Sequence, residues 1–263
     1  MAIVGFIGTG NMGGAMARAA AKSGLAEELL LANRSPEKAE RLAEEIGGRV
    51  VSNREAVLRS DVLFLGVKPQ MLDTLLEQIG DALRERKERQ LIVSILAGKD
   101  LAALKRLLGE DKPILRIAPN IPVCVGAGIT QFWGTETVTQ EDKDFFRKLM
   151  AASGLVEELD EHQMEAACGV TGCGPAFAAM FVEALADGAV ACGLPRAKAI
   201  RYAAQMLAGS AQMLLESGEH PGELKDRVCS PGGSTIQGVR KLEERAFRGA
   251  VTDAVIATWE KEF

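Results

Sequence analysis

The chain has 263 residues, 47% of them apolar, a net charge of −5, five cysteines and two histidines. That composition suits a globular protein of about two domains with a sizeable core, and the acidic balance argues against nucleic acid as a partner. Cysteines without a CxxC pair read as reduced thiols, the lone His162 and His220 argue against a structural zinc site and no metal is expected, and an N-terminus without a charged-then-apolar leader, in a chain where no apolar run of membrane-spanning length is expected, places it in the cytoplasm and off the membrane.

Residues 3–7 read as an apolar strand entering the GxGxxG turn Gly8-Thr9-Gly10-Asn11-Met12-Gly13, followed by an Ala-rich helix. Strand, turn and helix in this order are the signature of a dinucleotide site. Gly8 permits the tight turn, Gly10 lets the backbone approach a pyrophosphate, and Gly13 lets helix and strand pack closely. The helix start, with Asn11 and Met12, supplies unpaired N–H donors. A second strand over 29–33 ends in Asn33-Arg34-Ser35, where an acid would hold the adenine ribose hydroxyl. No carboxylate stands there. Arg34, with Asn33 and Ser35, offers a 2′-phosphate charge-assisted hydrogen bonds, so NADPH/NADP is the expected cofactor. Ser35-Pro36 also reads as an N-cap with proline at the first position of a helix over 36–46.

Further strands are expected over 49–52, 61–67, 90–95 and 113–117, with helices over 71–83 and 101–108 between them. Asn53, just after the third strand, fits the adenine end of a cofactor or a helix cap equally well. Val67-Lys68-Pro69-Gln70 falls at the carboxyl end of the fourth strand, where ligands sit in open α/β sheets, so Val67, Lys68 and Pro69 join the cofactor candidates. Residues 123–132 and 156–159 read as strands added to the sheet edge. The alternation implies a parallel, doubly wound (Rossmann) α/β domain over 1–159.

From Glu161 onward the pattern is helical almost without break, giving an all-α domain over 160–263 that opens on Asp160-Glu161-His162-Gln163, a capping-box sequence. Residues 176–192 are apolar nearly all round, and 201–215 are rich in Ala, Gly and Met. A helix apolar on every side must be covered on every side, either by a second subunit across a two-fold interface or by the chain's own first domain. Val170-Thr171-Gly172-Cys173-Gly174-Pro175-Ala176 fits a helix-entry turn as well as a ligand contact, and Cys173 reads as a small thiol with no base to activate it. The turn Ser230-Pro231-Gly232-Gly233-Ser234-Thr235 opens a helix with hydroxyls and backbone N–H groups. It outlines a carboxylate receptor, although an ordinary Ser/Thr-capped helix has the same composition.

Taken together, the chain resembles pyrroline-5-carboxylate reductases over essentially its whole length. The likeness rests on Gly5-Phe6-Ile7-Gly8-Thr9-Gly10-Asn11-Met12, Asn33-Arg34-Ser35, Val67-Lys68-Pro69-Gln70, Ser94 with Ala97-Gly98, Pro119-Asn120, Thr171-Gly172-Cys173-Gly174-Pro175 and Ser230-Pro231-Gly232-Gly233-Ser234-Thr235. The resemblance implies NADPH-dependent reduction of 1-pyrroline-5-carboxylate to L-proline, the last step of proline biosynthesis, in a homodimer or ring of dimers built through the helical domain. It also implies that Ala97 meets the cofactor, that Ser230, Gly232, Gly233, Ser234 and Thr235 hold the substrate carboxylate, and that the Thr235 hydroxyl is the catalytic group near the ring nitrogen. The chain departs from the family pattern at Lys99, Ala118, Ile121, Cys173 and Phe177, which keeps a related cyclic imine in view as substrate. A β-hydroxyacid dehydrogenase relies on a lysine in its long helix, and no lysine occurs over 149–197. The third alternative is a non-catalytic NADPH-binding regulator, against which the retained Thr235 argues.

Overall fold

The computed structural model describes residues 1–260. β1 (Ala2–Ile7), α1 (Asn11–Ser23), β2 (Ala26–Ala32), α2 (Pro36–Ile46), β3 (Arg49–Val50), α3 (Asn53–Arg59), β4 (Val62–Leu65), α4 (Leu72–Glu85), β5 (Leu91–Ser94), α5 (Leu101–Leu108) and β6 (Ile114–Pro119) alternate along the chain. They are followed by β7 (Gly128–Gly134), α6 (Gln140–Met150) and β8 (Gly154–Glu158). Thereafter every described element is a helix: α7 (Glu161–Thr171), α8 (Gly174–Ala191), α9 (Arg196–Ser217), α10 (Pro221–Val228), α11 (Ser234–Glu244) and α12 (Phe247–Glu260). The chain divides into two compact units, Met1–Gly172 and Cys173–Phe263.

One eight-stranded sheet organises the first unit in the order β3-β2-β1-β4-β5-β6-β7-β8. All neighbours are parallel except β6 and β7. Buried strands alternate their side chains between two apolar layers. In β4, Val62 and Phe64 face the layer completed by α1, α2 and α6, whereas Leu63 and Leu65 face that completed by α3, α4 and α5. Phe6 stacks on Phe64 with centroids 4.5 Å apart, and Phe146 of α6 meets Phe132 of β7 edge-on at 5.2 Å. These four fully buried rings couple the start of the sheet to its antiparallel extension.

Several local expectations change. The region 123–132 divides into a short 3₁₀ turn, Ile121–Val125, and β7, because Pro122 disfavours a strand start and Gly126 takes a left-handed conformation. Asn53 is the first residue of α3, and the cap is Ser52, whose hydroxyl accepts from the Glu55 N–H at 3.0 Å. Ser35 and Asp160 both stand at N-cap positions, but neither side chain makes a capping bond. Glu161, the first residue of α7, bonds Arg116 of β6 and the Leu101 N–H. A capping box does occur at α6, where Thr139 and Asp142 bond reciprocally.

The second unit is apolar but thinly buried. Ala186 is the buried residue of α8, and Ala199 and Ala203 are those of α9. Met180, Tyr202, Met206, Met213 and Leu215 are exposed. Within this unit Phe181 of α8 meets Phe247 of α12 at 5.8 Å between ring centroids. Contrary to the expectation that no apolar run is long enough, Glu161–Ala191 could cross a membrane by length and composition alone, with a hydropathy of 1.4. Alanine, glycine and cysteine supply much of that apolar character, and Gly172 and Cys173 interrupt the helix.

Asp142 closes the α6 cap and also accepts from Arg89 at 2.8 Å. Burial pushes its carboxyl up, but Arg89 and the Thr139 N–H and hydroxyl outweigh that, and its pKa lies below the ordinary value. A carboxylate so depressed contributes stability above its unfolded pKa and loses it as pH falls through the folded one. Asp142→Ala is therefore expected to cost about 1–2 kcal/mol at neutral pH. In thermal melts the difference from the parent protein should shrink below about pH 4; a difference that persists in acid contradicts the assignment.

Candidate active site

The carboxyl ends of β1, β2 and β4 meet around a cavity of about 420 Å³ in the first unit. Its geometry begins with backbone-to-backbone contacts. Gly8 has φ +95°, and a Cβ there would lie 2.7 Å from the Gly66 carbonyl. A Cβ on Gly13 would lie 2.0 Å from the Gly8 oxygen. The strand ends and the first turn of α1 thus approach to distances that no side chain allows. Gly10 differs, because nothing lies within 4 Å of its Cβ position. It has no steric partner among the described residues, and its missing side chain leaves open cavity.

Gly8, Gly10, Asn33, Arg34, Ser35, Asn53, Val67 and Lys68 all line this cavity. Asn33 is more engaged than a phosphate donor needs to be. Its Oδ1 accepts from the Thr9 N–H at 3.2 Å and its Nδ2 donates to the Ser35 carbonyl at 3.0 Å, tying the glycine turn to the end of β2. Arg34 is exposed and meets Met71 Sδ at 3.7 Å. Asn53 donates to Gln78 Oε1 at 2.8 Å across the wall. Asn11, Met12, Pro69 and Ala97 lie outside the lining. The first two open α1, with Met12 packed against the core; Pro69 begins a 3₁₀ turn, and Ala97 is exposed after β5.

Of the seven lining residues that escaped sequence reasoning, the three with polar side chains, Lys38, Thr74 and Gln78, each left a signal. Lys38 is the third residue of α2, at the end where the helix dipole disfavours a cation. Thr74 and Gln78 lie four apart on α4 and so share a face. Arg34, Lys38 and Lys68 give this cavity three cationic side chains and no carboxylate.

In the second unit the turn between α10 and α11 carries Ser230, Gly232 and Gly233 and leads into Ser234 and Thr235. Gly232 has φ +72°, and the Gly233 N–H donates to the Ser230 carbonyl at 3.0 Å. Gly233 is the N-cap of α11 and no side chain caps that helix. Ser234 and Thr235, its first two residues, are exposed, and their N–H groups lie among those a helix start leaves without an internal acceptor.

Comparison with known proteins identifies the kind of molecule these features belong to. A family model described as pyrroline-5-carboxylate reductase dimerisation matches residues 161–262, and one described as NADP oxidoreductase coenzyme F420-dependent matches residues 3–98. The pyrroline-5-carboxylate reductase of Escherichia coli is 42% identical over 261 residues, covering 98% of this chain and 96% of that protein. The chain belongs to the pyrroline-5-carboxylate reductase family. A pyrroline-5-carboxylate reductase structure from Coxiella burnetii matches with a TM-score of 0.91 at 31% identity, covering 98% of this chain and 96% of that one. The Plasmodium falciparum pyrroline carboxylate reductase solved with NADP bound matches at 0.84 and 29%, with the same coverage.

The positions at which this reductase-family chain departs from the expected pattern lie in both units. Ala118 is the half-buried penultimate residue of β6, Ile121 is 69% exposed just beyond that strand, and Lys99 lies between β5 and α5. Cys173 is the N-cap of α8, with Phe177 in the first turn of that helix. Within the glycine turn, space separates two roles. Gly10→Ala is expected to melt within about 2 °C of the parent while losing dinucleotide affinity, whereas Gly13→Ala should destabilise the fold by about 2 kcal/mol or more. Calorimetry and cofactor titration on the two variants check this, and equal effects on both quantities contradict it.

Proposed function

We propose that this chain reduces 1-pyrroline-5-carboxylate to L-proline with NADPH, the last step of proline biosynthesis. The reading is carried by full-length kinship with reductases of that name combined with a cavity whose cations face no carboxylate. In it, residues 1–159 form the NADP-binding domain and 160–263 the substrate-binding and dimerisation domain of a cytoplasmic homodimer. Exposed apolar side chains on α8 and α9 support association of the helical part.

The cavity fits a phosphorylated dinucleotide. Gly10, Asn11 and Met12 present backbone N–H groups to the pyrophosphate at the start of α1, above the tight turn that Gly8 permits. Arg34, Ser35 and Lys38 meet the 2′-phosphate, with Asn33 holding that corner in shape and Asn53 at the adenine end. Val67, Lys68, Pro69 and Ala97 follow along the strand ends. When bound, NADPH supplies the hydride.

Ser234 and Thr235, with the backbone of the turn from Ser230 through Gly233, receive the substrate carboxylate at the uncapped start of α11. The Thr235 hydroxyl meets the ring nitrogen. A protonated cyclic imine is already electrophilic, so hydride addition at carbon yields a neutral amine without a strong general acid. What the chain contributes is orientation and exclusion of water. An alcohol substrate would also need a base for its hydroxyl proton.

The deciding assay mixes pure protein, NADPH and 1-pyrroline-5-carboxylate and follows cofactor absorbance. Oxidation is expected, and its absence rejects the reading. Thr235→Ala should lower kcat/KM for the imine while NADPH binding is retained; unchanged kinetics remove Thr235 from the site. Lys38→Gln and Arg34→Gln should each weaken NADPH binding roughly tenfold and leave NADH binding nearly unchanged. Equal losses for both cofactors contradict the placement of the 2′-phosphate.

A further inference from the structure

Asn120 has no part in the reaction just described, yet its side chain joins two separate segments of the first unit. It follows β6 directly and precedes the Ile121–Val125 turn. Its Oδ1 accepts from the Ile129 N–H of β7 at 2.9 Å, and its Nδ2 donates to the Thr171 carbonyl at 3.0 Å. Space for the amide comes from Gly128, where a Cβ would stand 2.7 Å from Asn120 Oδ1 and 2.4 Å from the Val123 nitrogen. Gln131 of β7 adds a contact to the Thr171 hydroxyl at 3.4 Å, and that hydroxyl also bonds the Ala167 carbonyl at 3.0 Å.

Thr171 is the last residue of α7, and Gly172 ends the first compact unit. The far end of α7 is tied as well, since Glu161 Oε1 accepts from the Leu101 N–H at 2.8 Å and from Arg116 at 2.9 Å. In α7 the buried residues are Met164 and Gly169, so apolar burial alone holds this helix weakly. Polar ties at its two ends set its place on the sheet. After Thr171 come Gly172, Cys173 and Gly174, and glycine on both sides gives the turn little stiffness of its own. The Gly172 N–H still donates back to the Cys168 carbonyl at 2.8 Å, and the last tie from the sheet itself is the one on the Thr171 carbonyl.

That point lies at the carboxyl end of β6. The cofactor cavity opens at the carboxyl ends of β1, β2 and β4, which are on the same edge of the sheet. We propose that Asn120 is a positioning residue for the reduction: by holding the Thr171 carbonyl it fixes where the glycine turn 172–174 leaves the sheet unit, and turnover depends on that fixed exit. The kinetic half of this inference rests on the reductase reading above; the anchoring half rests on the hydrogen bonds alone.

Asn120→Asp separates the two bonds, because a carboxylate still accepts from Ile129 but cannot donate to Thr171 and repels its carbonyl. In the full-length protein we expect amide hydrogen exchange at 172–174 to rise and kcat to fall about tenfold or more, as misplacement far from the chemistry does. NADPH affinity should stay within about twofold, since none of Asn120, Ile129, Gln131 and Thr171 lines the cavity. Unchanged exchange overturns the anchor. Faster exchange with unchanged kcat overturns its role in turnover, and a parallel loss of NADPH affinity marks general damage to the sheet unit and also overturns it. If the parent protein does not oxidise NADPH with the imine, the reductase reading fails and the exchange comparison still judges the anchor. Should Asn120→Asp fold poorly, Asn120→Ser, too short to reach both partners, is held to the same outcomes.

Discussion

The rest of the first unit depends on three glycines whose backbones touch. Gly8 at the end of β1, Gly66 at the end of β4 and Gly13 in the first turn of α1 approach one another more closely than any Cβ permits. That contact brings the helix start down onto the strand ends and aims its free N–H groups along the carboxyl edge. The sheet is held to it by hydrogen bonds from the Gly8 N–H to the Ala32 carbonyl and from the Gly66 N–H to the Ile7 carbonyl, both at 2.8 Å. The cavity is the space this interlock leaves open, and Asn33 braces its corner.

On the proposed reading, charge gives the cavity its selectivity. Three cations without a carboxylate form a surface that a dianionic phosphate complements and that a bare ribose leaves unpaired. Two of them, Arg34 and Lys38, flank the uncapped start of α2, so the helix dipole and the side chains act in the same direction. Ser35 has its hydroxyl free of a capping bond at that same place.

Beyond β6 the sheet reverses one strand and continues through β7 and β8, and this extension serves a different purpose. One of its faces completes the aromatic core with Phe132 and Phe146. Polar residues of β6, of the turn after it and of β7, namely Arg116, Asn120 and Gln131, reach α7. The antiparallel pair is thus the platform from which the chain departs into its helical unit. That unit, by contrast, keeps large apolar side chains exposed along α8 and α9, in keeping with a family model that describes this region as dimerisation.

The sequence by itself determined the alternation of strands and helices, the helical composition after residue 160, the dinucleotide turn and the absence of an acid at the end of β2. Each is written in short-range periodicity or in a local run of residues, which is where sequence patterns carry information. It placed Ser35 and Asp160 rightly at N-cap positions but not their side-chain bonds, which do not form, and of the two readings open for Asn53 the cap falls one residue earlier, on Ser52; whether a capping bond forms depends on side-chain geometry that residue type alone does not set. Only the tertiary structure decided that Lys38, Thr74 and Gln78 line the cavity, that Asn33 is a brace, and that Asn120 grips the end of α7. Such roles are set by contacts between residues far apart in the chain, and no local pattern encodes a distance between them.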